Sequence, residues 1–238
     1  TGTQSYNLGR LCGLVGGLPE TTAGMAIELQ CSSGLMSIAT AAKSIICNDY
    51  DVAVAGGVES ISLTQNKHKN TYRSQSAGVI EVDPTAYMPM LETAEVVSER
   101  YGISREMQDE YSLQSQQRTA AAQENGIFSD EIVPMNAVKA VFNRETKETS
   151  YQEVTVVKDE CNRPSTTLEG LQDLAPVWKD GQWVKEGRFI TAGNSSQLSD
   201  GASTSLIMEA NMAKAHGLSP LGYYRGISVA GCQSDEMG

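Results

Sequence analysis

Residues 25–60, MAIELQCSSGLMSIATAAKSIICNDYDVAVAGGVES, constrain the fold more tightly than any other stretch. Met25, Ile27 and Leu29 alternate with Ala26, Glu28 and Gln30, the two-residue period of a half-buried strand. Leu35, Ile38, Ala39, Ala42, Ile45 and Ile46 then recur at helical spacing, and Asn48-Asp49 stops that helix. Residues 51–55 read as a second short apolar strand, closed by Gly56-Gly57. Strand, elbow, buried helix and strand together predict an α/β chain with a right-handed parallel crossover.

The chemistry of this unit sits at the elbow, Cys31-Ser32-Ser33-Gly34. A thiol where a helix begins feels the positive end of the helix dipole, which favours the thiolate. Small neighbours let a substrate carbonyl come close, and the backbone N–H groups of the elbow are placed to face a developing oxyanion. The alternative is a buried, inert cysteine. The strand-to-helix junction and the small neighbours favour the nucleophile.

Charge narrows the partners. A formal net charge of −11 over 238 residues argues against nucleic acid and anionic membrane. An anionic ligand would need local Arg, Lys or helix N-termini. No apolar run approaches membrane-spanning length. The cysteines, Cys12, Cys31, Cys47, Cys161 and Cys232, lack metal spacing. That pattern predicts a reducing compartment, the cytoplasm, and no structural zinc; as a separate expectation, no cofactor is tightly bound.

Along the chain, residues 9–18 read as a helix running into the Gly16-Gly17 turn. Lys67, His68, Lys69 and Arg73 lie in a polar stretch, a solvated loop or else a phosphate contact. Residues 87–101 carry a helix with Ala94, Val97 and Tyr101 on one face, ended by Gly102. Ser104 caps a second helix, which runs to Asn125-Gly126 with a weak apolar face. Residues 130–135 and 151–158 read as strands around a polar turn at 143–148. Thr166-Thr167-Leu168-Glu169 reads as a capping box. Further strands are expected at 188–192, 202–208 and 222–230, and a short helix at 211–216 with His216 at its favourable C-terminal end.

Cys31-Ser32-Ser33-Gly34 followed by Ala53-Val54-Ala55-Gly56-Gly57-Val58-Glu59-Ser60 resembles the thiolases, the acyl-CoA acetyltransferases. Residues 191–201, TAGNSSQLSDG, are similar to that family's T-A-G-N-[AS]-S signature, and the match continues to Asp235-Glu236-Met237-Gly238. The resemblance implies a layered thiolase-like fold of helices and parallel-rich sheets. Residues 1–63 and 188–221 would form the N-terminal core. Residues 64–187 would be an inserted loop domain that covers CoA and makes oligomer contacts, and 222–238 would open a second, related half.

The resemblance also implies a function. Cys31 would carry an acyl group as a thioester between CoA thioesters, making or cleaving 3-ketoacyl-CoA. Acyl-CoA and CoA would be substrates, and the protein a homodimer or homotetramer. Arg163 would face the nucleotide end of CoA, or else is an Arg at a turn. Trp178 would line the pantetheine path, or else pins a loop. Ala192 and Ser196 match positions that hold the pantetheine amides, and Met90 opens an M-x-x-T-A-E segment that enters the active-site region. Members that make acetoacetyl-CoA have His before that Met. Pro89 stands here instead, which leans towards another acyl-CoA branch.

The family's catalytic His and second Cys, in G-H-P and C-x-G-x-G segments, would follow Gly238, so the chain resembles the middle of a thiolase. Two other readings stay open. One is a catalytically incomplete fragment that binds CoA or a partner subunit. The other is a β-ketoacyl synthase, against which the CoA-side matches at Arg163 and Ser196 argue.

Overall fold

The computed structural model describes residues 6–237. In chain order the elements are α1 (Leu8–Val15), α2 (Ser33–Ile46), β1 (Val52–Glu59), α3 (Ile61–Thr64), α4 (Ala77–Val82), α5 (Met90–Arg100), α6 (Arg105–Glu124), β2 (Met135–Phe142), β3 (Thr149–Val156), α7 (Leu168–Gln172), β4 (Gly201–Met208) and α8 (Ala210–Ala215), with a 3-10 turn at Ser234–Glu236. They fall into two compact units. The first comprises the residues up to Ser74 together with Leu198–Gly231; the second comprises Gln75–Gln197 and the residues from Cys232 on. Gly238, the last residue of the Asp235-Glu236-Met237-Gly238 match, and residues 1–5 lie outside the described residues.

In the first unit α2 is the central element. Its Ala39, Ala41, Ala42 and Ile45 are buried, together with Ala55 of β1. Small side chains on both elements let the helix lie close to the ribbon. A Cβ on Gly57 would stand 3.2 Å from the Gly34 Cα, and Ser37 Oγ donates to the Gly56 carbonyl at 2.7 Å. The helix ends at Cys47, after which Asn48 turns at φ 63°. In place of the expected parallel crossover, β1 pairs antiparallel with β4, from Val52 opposite Met208 to Glu59 opposite Gly201.

The strand expected at 25–29 does not form. Alternating residues fit a pleat, but a strand also needs ladder partners for its backbone groups, and nearby side chains have taken these. The Gly24 carbonyl accepts from Asn7 Nδ2 at 2.6 Å. Leu29 N donates to Ser33 Oγ at 2.8 Å, and Gln30 N donates to Glu28 Oε1 at 2.8 Å. Arg10 holds the carbonyls of Glu20 and Thr22 in the same way. Local side-chain bonds have outcompeted the ladder.

The second unit contains helices α4 to α7 and the hairpin β2–β3, whose register runs from Met135 opposite Val156 to Phe142 opposite Thr149. The strand expected at 130–135 does not form; the hairpin's first strand begins where that segment ends, at Met135, and runs to Phe142. Glu131 N and Ile132 N both turn back onto the Phe128 carbonyl, and Pro134 has no donor to offer a ladder. Ser104 caps α6 as expected, its hydroxyl accepting from Met107 N at 3.3 Å. The cap of α7 is Thr167, which accepts from Gly170 N, so the box expected to start at Thr166 is shifted by one residue.

The strand expected at 188–192 is also absent, for the reason seen at 25–29. Arg188 N, Phe189 N and Ile190 N donate to Glu95, and Thr191 N donates to Asn194 Oδ1. Residues 222–230 likewise form no strand among the described residues, since no ladder partner reaches them. No helix among the described residues is long and apolar enough to cross a membrane.

Candidate active site

Cys31 lies in the first unit, two residues before α2, and is exposed. Ser32 occupies the N-cap of α2 without a side-chain capping bond. Gln30 takes a left-handed conformation, φ 50°, directly before the thiol. For a residue with a Cβ that conformation costs on the order of 1–2 kcal/mol, and it recurs at functional elbows. Ser33 holds it: its Oγ donates to the Gln30 carbonyl at 2.6 Å. The elbow's N–H groups do not all face outward. Ser32 N donates to the Leu29 carbonyl at 3.1 Å and Ser33 N to the Gln30 carbonyl at 3.0 Å. Those two donors are therefore committed to the turn and not to an oxyanion.

Asp200 closes the other end of β1. Its two oxygens accept from Ser62 N at 2.9 Å and Ser62 Oγ at 2.5 Å. The Ser62 hydroxyl, then the Ser62 N–H, hold its carboxyl below the usual aspartate value. The sequence pattern offered no sign of this pair, which spans 138 positions.

The other five residues singled out from sequence lie in the second unit. Met90 opens α5 at 50 % exposure. Trp178 is half-buried, and its Nε1 donates to the Val184 carbonyl at 3.0 Å. Arg163 is exposed and its backbone forms a turn, with Thr166 N and Oγ1 donating to its carbonyl at 3.0 and 2.7 Å. Its guanidinium has no hydrogen-bond or ion-pair partner among the described residues. Ala192 and Ser196 are exposed on the turn that follows buried Thr191, and Ser196 Oγ donates to the Gln197 carbonyl at 3.1 Å.

Two of these positions are drawn together by their neighbours. Gln197 Nε2, next to Ser196, donates to the Cys161 carbonyl at 3.1 Å. Gln116 of α6 takes Asn162 Nδ2 at 2.8 Å and Arg163 N at 2.8 Å. Trp178 and Ala192 are joined by backbone: Val177 N donates to the Ile190 carbonyl at 2.9 Å, and Pro176 bridges Thr191. Among the described residues no cluster of His, Cys, Asp and Glu is built to hold a metal ion.

The family described as "Thiolase, N-terminal domain" matches residues 1–211. The chain is 40 % identical over 233 residues to the peroxisomal 3-ketoacyl-CoA thiolase A of Rattus norvegicus, covering 97 % of this chain and 50 % of that protein. It is 39 % identical over 236 residues to the 3-ketoacyl-CoA thiolase of Bacillus subtilis, covering 99 % and 58 %. Human mitochondrial 3-ketoacyl-CoA thiolase in complex with CoA superposes with a TM-score of 0.70 at 34 % identity, covering 92 % of this chain and 54 % of that one. The Bacillus anthracis acetyl-CoA acetyltransferase superposes at 0.69 with 38 % identity, covering 91 % and 53 %. The chain spans about half the length of the curated relatives it matches.

Proposed function

Because this chain belongs to the thiolase family, with its α/β fold, we propose that it is the nucleophile-bearing part of an acyl-CoA acyltransferase. The reaction makes or cleaves 3-ketoacyl-CoA. In cleavage the Cys31 thiolate adds to the 3-keto carbonyl. The carbon–carbon bond then breaks, its electrons leave as the acetyl-CoA enolate, and that enolate takes up a proton. The acyl group stays on Cys31 as a thioester. The thiolate of free CoA next attacks this thioester, and Cys31 leaves as thiolate. The reverse sequence lengthens an acyl chain.

The observation that carries this reading is the exposed Cys31 on a strained elbow directly ahead of a fourteen-residue helix. CoA would run past Arg163 and Trp178 to Ala192 and Ser196, with Met90 nearby in the reading. The unpartnered Arg163 guanidinium suits a phosphate, and the CoA complex of the human relative supports CoA as ligand. We assign 64–187 as an inserted loop domain between core segments 1–63 and 188–221, with 222–238 opening a second half. The second unit's continuous run from Gln75 to Gln197 supports an insertion. We assign the proton steps to residues outside these 238. His68 sits in an exposed loop and His216 caps α8 at the surface. The family also supports a homodimer or homotetramer. The five exposed cysteines, which no disulfide joins, support a reducing compartment, the cytoplasm in this reading.

Thiolysis by the protein as encoded in full is the test. Loss of the ketoacyl-CoA enolate absorbance on adding CoA is expected, and Cys31→Ala should slow it by roughly 10⁴-fold or more. A Cys31→Ala protein that keeps its rate would refute the assignment.

A further inference from the structure

Three carboxylates with no part in the chemistry above lie inside the second unit. Glu92, Glu95 and Asp109 are 1 %, 2 % and 0 % exposed. Carboxylates persist in such places when strong donors meet their charged form. Here most of the donors are main-chain N–H groups of one loop. Glu92 Oε1 accepts from Trp183 N at 2.5 Å and Val184 N at 2.8 Å. Glu95 serves three successive residues, Arg188 N at 2.9 Å, Phe189 N at 3.1 Å and Ile190 N at 2.8 Å. Asp109 accepts from Arg105 Nε at 2.7 Å and from Asn194 Nδ2 at 3.3 Å.

Asn194 completes the frame. Its Nδ2 also donates to the Phe189 carbonyl at 2.8 Å, and its Oδ1 accepts from Thr191 N at 2.8 Å. Glycines make room for the carboxylates. A Cβ on Gly187 would stand 2.7 Å from Glu95 Oε1, and one on Gly181 would stand 2.5 Å from Glu92 Oε1. The frame ends where Ala192 and Ser196 emerge at the surface.

We propose that Glu92, Glu95 and Asp109 are positioning residues for the acyl carrier, fixing residues 183–194 in the ligand-free protein so that the turn bearing Ala192 and Ser196 is preformed for pantetheine. This rests on the CoA reading given above. A loop ordered in advance loses little further freedom when its ligand arrives, and affinity rises accordingly. Glu95 holds the most donors. Glutamine at that position is isosteric but offers one carbonyl oxygen, and its amide would point N–H at a backbone N–H.

The experiment is CoA titration calorimetry on the full-length protein, wild type against Glu95→Gln and Glu92→Gln, with the iodoacetamide alkylation rate of Cys31 as reporter of the other unit. Each carboxamide is expected to weaken CoA binding by about tenfold and to leave Cys31 alkylation unchanged. A purely architectural role would lower the melting temperature without moving the affinity of folded protein. Wild type that binds no CoA ends the CoA reading itself. Wild type that binds CoA, with Glu95→Gln binding it equally well, overturns the positioning role alone. If Glu95→Gln does not fold, amide hydrogen exchange on the wild type decides. Residues 188–190 are expected to be protected before CoA is added, and free exchange there until CoA arrives overturns the proposal.

Discussion

Cys31 is exposed, and so are Cys12, Cys47, Cys161 and Cys232. Access therefore does not rank the five thiols, and differences in alkylation rate report their surroundings. Cys31 alone among them directly precedes the N-cap of an α-helix, the fourteen-residue α2, and so sits beside the positive end of that helix's dipole. Iodoacetamide near neutral pH followed by peptide mapping is expected to label Cys31 first. Faster labelling of any of the other four would count against the nucleophile assignment. The turn ahead of α2 that carries Cys31 was legible from sequence because small residues before a helical period are a local pattern. The Gln30 strain that shapes the elbow was not, since nothing in a glutamine signals φ > 0. The buried acids were equally hidden: Glu92 and Glu95, three positions apart on a helix, look like a solvated face until their backbone partners some ninety residues away are known.

The longer helices were read from sequence nearly to their ends, because their period and caps are local, whereas the short α3 and α4 fall where no periodicity was seen. The structure gives α2, α5, α6 and α8 close to where spacing put them, and the polar turn at 143–148 joins β2 to β3. Strands at 25–29 and 188–192 failed for one physical reason. Alternation records which side of a segment is apolar, not what accepts its N–H groups, and side chains of Ser33, Glu28 and Glu95 accept them here. A tether at the end of α5 was invisible for a similar cause. Arg100 grips Asp235 through both nitrogens, at 3.2 and 2.6 Å, and reaches Glu236 at 2.6 Å, while Tyr101 donates to Glu236 at 2.8 Å. Ser234 donates to Asp83 at 2.6 Å. Arg100 holds the Asp235 and Glu236 carboxyls below their ordinary values of 3.8 and 4.5, and Ser234, then Thr85, does the same for Asp83. Groups depressed on folding add stability that is present above the ordinary range and lost as pH falls through the depressed values. Amide protection across Ser234–Glu236 is thus expected near neutral pH and lost as pH falls below the ordinary carboxylate range. Arg100→Ala should lose it at neutral pH, and high salt should weaken it in the wild type. Protection that survives both acid and Arg100→Ala would show that other contacts hold the segment.

At the scale of the molecule, an acidic chain of net charge −11 carries the proposed nucleophile in one unit and the proposed CoA contacts in the other. Acyl transfer through a thiolate separates into capture of the acyl group and its release. Capture needs a reactive thiol, whereas repeated turnover also needs an acid/base, whose loss typically slows a reaction by about 10²–10⁴-fold. Both histidines lie at exposed positions, in a loop and at the end of α8. The protein is therefore expected to take up an acyl group at Cys31 even where turnover is slow. The direct measurement is to incubate it with acetyl-CoA or a 3-ketoacyl-CoA, weigh the intact protein, and map the modified peptide. One acyl group on Cys31, released by hydroxylamine as a thioester should be, is the expected result. An unmodified Cys31, or an acyl group carried by a different residue, would contradict its role as nucleophile.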